Sequence, residues 1–171
     1  QTTLVQLQAA IFNASSGRPG PSVLEIPLDI QSTLMSNEEP LSIPIFNFET
    51  HLELKVYAPA INEIFQNLEE AERPLLIIGG GVKAANVVNK TKDLVSKLGV
   101  PCSLTWRTTD FLPFDDHLNA GRFGTVAKRY SNILIQRADF ILVLGSRLDA
   151  TQTAHNLMRF GKRAKIFLVD V

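Results

Sequence analysis

The sequence predicts a doubly wound, Rossmann-like parallel α/β sheet with helices on both faces, and three observations predict it. Short apolar runs without polar alternation recur at residues 75–78, 140–144 and 166–169, as strands covered on both faces require. Stretches of helical periodicity separate them. The junction Gly79-Gly80-Gly81-Val82-Lys83-Ala84 reads G-x-G-x-x-A between a strand and a helix.

Residues 3–14 set Leu4, Leu7, Ile11 and Phe12 at helical spacing, and Ser15-Ser16-Gly17-Arg18-Pro19-Gly20-Pro21 ends that helix. Residues 23–30 predict a strand, with Pro27 pushed toward its end because proline has no N–H for a ladder. Residues 31–50 hold no sustained period and carry Pro40 and Pro44, which reads as a linker. Ile61, Ile64, Phe65 and Leu68 then predict an amphipathic helix that ends before Pro74, and the strand 75–78 runs into the three glycines. The next helix keeps Ala84, Val87, Val88, Leu94, Val95 and Leu98 on one side, with Gly99 placed to stop it. A strand at 100–105, a loop rich in Thr, Pro and Asp, a helix around 126–137 and the strands 140–144 and 166–169 complete the alternation.

The chain has 171 residues, 45% hydrophobic, enough for one core without disulfide or metal staples. Its 17 basic residues balance 17 acidic ones, which removes the positive footprint that nucleic acid or an anionic membrane surface requires. No apolar run approaches the roughly 20 residues that span a bilayer. The single Cys102 leaves no internal disulfide framework and fits a reducing, cytoplasmic setting, while His51, His117 and His155 lack zinc-ligand spacing. Gln1 is not an initiator methionine and Val171 closes an apolar stretch, so the sequence is expected to be part of a longer polypeptide.

Glycines after a first strand let the backbone approach a pyrophosphate, whose charge free N–H groups favour. The same glycines serve equally as a tight strand-to-helix turn. NAD is not expected, since the second strand ends in Ser103-Leu104-Thr105 where a ribose-binding acid is needed. After the strand 140–144, Gly145-Ser146-Arg147-Leu148-Asp149 lies where doubly wound sheets hold ligands. Arg147 there can hold a phosphate or pair with Asp149, and Asp170 can accept ribose hydroxyls or remain a solvated strand-end charge. Asp115-Asp116-His117 has the residue types of an acid/base cluster, but its proline-flanked position favours a plain loop. No G-x-S-x-G, H-E-x-x-H or G-x-x-x-x-G-K-[ST] pattern occurs, and Cys102, buried in a strand, reads as inert packing.

Three stretches together resemble the thiamine-diphosphate enzyme superfamily, closest to its acetolactate synthase-like group. They are 16–21 with 24–31, Arg73-Pro74 through Gly81, and Arg129, Asn132, Ala138-Asp139, 145–149, Gln152-Thr153 and 164–166, in family order. The resemblance implies the tail of a pyrimidine-binding domain at 1–31, a linker at 32–55 and a C-terminally truncated central Rossmann-like domain at 56–171. It sets the catalytic glutamate before Gln1 and the magnesium-binding stretch after Val171. Thiamine diphosphate and magnesium therefore belong to the parent enzyme, and no catalytic or metal residue is expected in this chain.

Central domains of this family carry FAD, ADP or neither. By motif, the contacts of such a nucleotide fall on Gly79, Gly80, Gly81, Thr105, Trp106, Gly124, Gly145, Ser146, Arg147, Asp149 and Asp170. Two departures bear on FAD: Thr105-Trp106-Arg107-Thr108 stands where the synthases show Thr-Leu-Met-Gly, and Thr151 where they show arginine. Trp106 fills space that a flavin needs. The implied function is a central scaffold of an enzyme that decarboxylates a 2-keto acid and transfers the resulting carbanion equivalent. Its implied partners are the remaining parent domains and a homodimeric or homotetrameric assembly. The alternatives are a free-standing nucleotide-binding or NAD-dependent Rossmann module and a structural spacer with an empty pocket.

Overall fold

The computed structural model describes residues 2–16, 20–34 and 58–170. The chain divides into two compact units, Gln1–Lys55 and Val56–Val171. In the first, α1 spans Thr2–Ser15 and α2 is one turn, Leu28–Gln31. Residues 20–27 form no strand, contrary to the expectation for 23–30. A strand needs a ladder partner, and Val23 and Leu28 instead stand 85% and 79% exposed. Residues 35–57, which take in the expected linker from 35 to 55, lie outside the described residues.

The second unit opens with α3 (Ala58–Glu70) and β1 (Pro74–Ile78). Next come α4 (Gly81–Ala84), α5 (Val88–Leu98), β2 (Cys102–Leu104), β3 (Asn119–Arg122), α6 (Arg129–Arg137), β4 (Phe140–Leu144) and β5 (Lys165–Val169). The strands form one parallel sheet in the order β3-β2-β1-β4-β5. Consecutive residues of a strand face opposite sides, so each central strand feeds two cores. Leu76, Ile78, Phe140 and Leu142 pack with Ile64 and Leu68 of α3, Val82 of α4 and Val95 of α5. Leu75, Ile77, Ile141 and Val143 pack on the other face with Ile135 of α6, Phe123 and Phe160. Leu76, Ile77 and Ile78 are fully buried, which is why an unbroken apolar run was needed there.

Three details depart from the sequence reading. The helix expected to run through 84–98 is broken: Asn86 turns into the left-handed region (φ 55°), which asparagine tolerates better than most residues, and α5 starts afresh at Val88. Gly99 does cap α5, with φ 62° and its N–H on the Val95 carbonyl. β3 was not expected, and neither the β2–β3 nor the β4–β5 connection contains an α-helix.

The amino edge is pinned by motif residues. The Asp139 carboxylate accepts the backbone N–H of Glu72 (3.1 Å) and Arg73 (2.9 Å), while Arg73 Nε donates to the Arg137 carbonyl (2.9 Å). This ties the entry of β1 to the entry of β4, so Arg73 and Asp139 position the sheet rather than any ligand. Among the described residues no helix is long and apolar enough to cross a membrane.

Candidate functional site

The chain winds outward in both directions from β1, so the crevice of this topology lies beyond the carboxyl ends of β1 and β4. Every candidate residue follows a strand on that edge: Gly79, Gly80 and Gly81 after β1, Thr105 and Trp106 after β2, and Gly124 after β3. Gly145, Ser146, Arg147 and Asp149 follow β4, and Asp170 follows β5.

What these residues touch is mostly one another. The N–H of Gly79 donates to the Leu144 carbonyl, that of Gly81 to the Gly145 carbonyl and that of Gly145 to the Val169 carbonyl, each at 2.8 Å. A β-carbon at Gly79 would overlap the Gly145 carbonyl oxygen and Ser146 Cβ, and one at Gly81 would lie 2.7 Å from Gly145 Cα. Gly145 has φ +66°, and a β-carbon there would lie 2.5 Å from the Val82 nitrogen. These three glycines are thus required by the interlock of two loops. Gly80 is different: a β-carbon on it would meet only the Arg107 side chain, at 3.0 to 3.1 Å.

The remaining candidates are similarly engaged. The Thr108 hydroxyl accepts the Thr105 N–H (3.1 Å) and donates to the Ile78 carbonyl (2.7 Å), folding the turn after β2 onto β1. Ser146 Oγ, buried, donates to Gln152 Oε1 (2.9 Å). Asp149 Oδ1 accepts the Thr151 hydroxyl (2.6 Å) and the Gln152 N–H (2.9 Å), and these bonds hold its carboxyl below the usual carboxylate range, the Thr151 bond most of all. Gly124, at φ +114°, exchanges two 2.9 Å hydrogen bonds with the Asn132 amide. Arg147 is exposed and makes no ion pair among the described residues, and Asp170 is half-buried at the end of β5. Lys83 of the glycine motif reaches Asp110 at 2.5 Å, and that hydrogen bond is the main cause of a lowered Asp110 pKa.

The glycine amides at this end of the edge do not form a pyrophosphate cradle. Buried phosphate oxygens need donors, and the amides of Gly79, Gly81, Gly124 and Gly145 are already spent within the chain. The Gly80 N–H has no partner among the described residues, but the Arg107 side chain packs against this glycine, and α4 offers only four residues of helix. The residue covering the glycine loop is therefore Arg107. Trp106, half-exposed, instead carries the Arg122 guanidinium over its ring at 4.6 Å.

The open space lies on the other half of the edge. A groove of about 520 Å³ runs between the ends of β2 and β3 and the start of α6, lined among others by Leu104, Thr109, Phe114, Arg122, Lys128 and Tyr130. Lys128 Nζ lies 5.2 Å from the Phe114 ring centroid. Sequence reasoning missed these residues because no motif joins them: Phe114 and Arg122 sit in the aperiodic loop, while Lys128 and Tyr130 open the helix expected around 126–137. The signal present was Arg122, Lys128 and Tyr130 close in sequence to Phe114, across the end of the loop and the start of the predicted helix. Asp116 of the Asp115-Asp116-His117 group turns its carboxylate to the Leu118 N–H (2.8 Å), the loop role the sequence favoured. The Cys102 thiol is pushed up to about 12, by burial first and by the Asp116 charge second, so it is inert at neutral pH.

With this sheet and edge in view, the class is defined by comparison: a family model described as "Thiamine pyrophosphate enzyme, central domain" matches residues 61–171. The chain belongs to that family. Its relatives include acetolactate synthase 1, chloroplastic, of Zea mays, 32% identical over 96% of this chain and 25% of that protein. The acetolactate synthase isozyme 1 large subunit of Escherichia coli (strain K12) is 32% identical over 98% of this chain and 29% of its own length, and the chloroplastic acetolactate synthase of Arabidopsis thaliana 30% identical over 96% and 24%. The chain thus spans about a quarter of the length of the curated relatives it matches.

Proposed function

We propose that this chain is the central scaffold domain of a thiamine-diphosphate-dependent enzyme of acetolactate synthase type, which decarboxylates a 2-keto acid and transfers the resulting carbanion equivalent to an acceptor. The observation that carries the reading is the agreement between the family match over 61–171 and relatives that are acetolactate synthases across nearly the whole chain. In this reading thiamine diphosphate supplies the carbanion-stabilising chemistry, held with its magnesium by domains outside this chain. The central domain contributes rigidity and an interface. The sheet supports that role, because its fully buried central strands and interlocked glycine loops give a stiff platform.

The test is turnover of pyruvate with thiamine diphosphate and magnesium, measured on the 171-residue chain and on the longer gene product. The expected result is no turnover above a protein-free control for the chain and cofactor-dependent carbon dioxide release for the longer protein. Turnover by the chain alone, or a longer protein inert toward every 2-keto acid offered, would contradict the reading.

A further inference from the structure

We propose that the ligand site of this domain is the β2–β3 groove, and that it takes a small organic carboxylate with a planar body rather than a pyrophosphate dinucleotide. Two independent observations carry this. The first is the donor count above: at the β1–β4 crevice the amides of Gly79, Gly81 and Gly145 bond to carbonyls of the chain itself and the Arg107 side chain packs against Gly80, so the glycine loop lacks the row of free amides that cradles a pyrophosphate.

The second is the composition of the groove. Its lining holds two cations, Arg122 and Lys128, and no carboxylate. Neither cation has an ion-pair partner among the described residues. Each is instead parked over an aromatic ring, Arg122 over Trp106 and Lys128 over Phe114. A guanidinium stacked on an indole keeps its N–H edge free in the ring plane, the geometry that grips a carboxylate with two parallel bonds. The lining also carries exposed aromatic surface: Phe114 is 82% and Tyr130 46% exposed, and Trp106, 51% exposed, lies under the Arg122 guanidinium. Exposed aromatic and apolar walls beside unpaired cations match an anion with a flat apolar body, and 520 Å³ is the volume of a small-molecule cleft. Tyr130 adds a phenol that is held close to Gly121, whose φ of +73° lets the strand end pass beneath it.

The inference is independent of the carboligase reading, because its readout is binding alone. Calorimetric titration of the 171-residue chain with benzoate, acetate, ADP and FAD tests it. The expected result is saturable benzoate binding, acetate at least about tenfold weaker, and no saturable heat with ADP or FAD. Arg122→Gln should weaken benzoate about tenfold to a hundredfold, the scale of losing charge-assisted hydrogen bonds. Lys128→Gln should weaken it less, and circular dichroism should show both variants folded, as exposed side chains allow. Absence of saturable benzoate binding, benzoate binding that survives Arg122→Gln, or saturable binding of ADP or FAD would overturn the proposal.

Discussion

The two halves of the carboxyl edge are built on opposite principles. Beyond β1 and β4 the loops are glycine-rich and interlocked, with Gly79, Gly81 and Gly145 so close that no side chain fits between them. Beyond β2 and β3 the chain carries Trp106, Phe114, Arg122 and Lys128 and leaves a groove. The half with the recognisable motif is the closed one. A glycine pattern after a first strand reports only that backbone approaches something closely, and here that something is the neighbouring loop. The half without a motif is where exposed aromatic surface lies beside the cations Arg122 and Lys128.

If that contrast is right, the largest effect comes from forcing a side chain into the interlock. Gly145→Ala adds a β-carbon in the left-handed region against backbone atoms of the glycine loop, and should cost about 3 kcal/mol or more from strain and overpacking together. Gly80→Ala meets only the flexible Arg107 side chain and should cost less than about 1 kcal/mol. Urea denaturation of both variants checks the pair, and equal stabilities would erase the distinction.

The openness of the β2–β3 half is confined to the strand ends, and Cys102 tests that. Its folded-state pKa of about 12 lies above the ordinary thiol value, so folding favours the protonated form. Between roughly pH 9 and 12 the unfolded chain binds fewer protons than the folded one, and stability falls as pH rises, by up to about 1.4 kcal/mol per unit. Cys102→Ala should lose that component of the alkaline slope, as read by denaturation at pH 8 and 10. An unchanged slope would mean that the thiol is open to water. The smallest effect belongs to the Arg122–Trp106 pair beside the groove: Trp106→Ala removes an exposed cation–π contact worth about 0.5 to 1 kcal/mol and should lower Tm by only a few degrees.

The fold was legible where burial dictates composition. Leu75 to Ile78 and Phe140 to Leu144 lie at the sheet's centre, where only apolar side chains serve, and both strands stand in the sequence as such. β3 escaped because Asn119-Ala120-Gly121-Arg122 contains no strongly strand-forming residue, and a register shift interrupts its pairing with β2. Residues 23–30 erred the other way, since apolar content stood in for a ladder partner the structure does not supply. The candidate residues were correctly placed on the carboxyl edge, because topology alone puts them there. Whether an amide faces a ligand or a carbonyl depends on the loop after β4, where Gly145 lies 64 residues beyond its bonded neighbour Gly81, and no local pattern encodes that.

 The pairing Gly81 N–H to Gly145 carbonyl joins residues far apart in sequence, which is why the closed crevice became visible only in the folded sheet.

Amide hydrogen exchange on the ligand-free chain tests the central claim most directly, because the claim is that these amides are already bonded within the protein. The account predicts that the N–H groups of Gly79, Gly81 and Gly145 exchange as slowly as those of Ile77 and Leu142, while Gly80 exchanges quickly. Fast exchange at Gly79, Gly81 and Gly145 together, with the core strands still protected, would show donors free for a ligand and would contradict it.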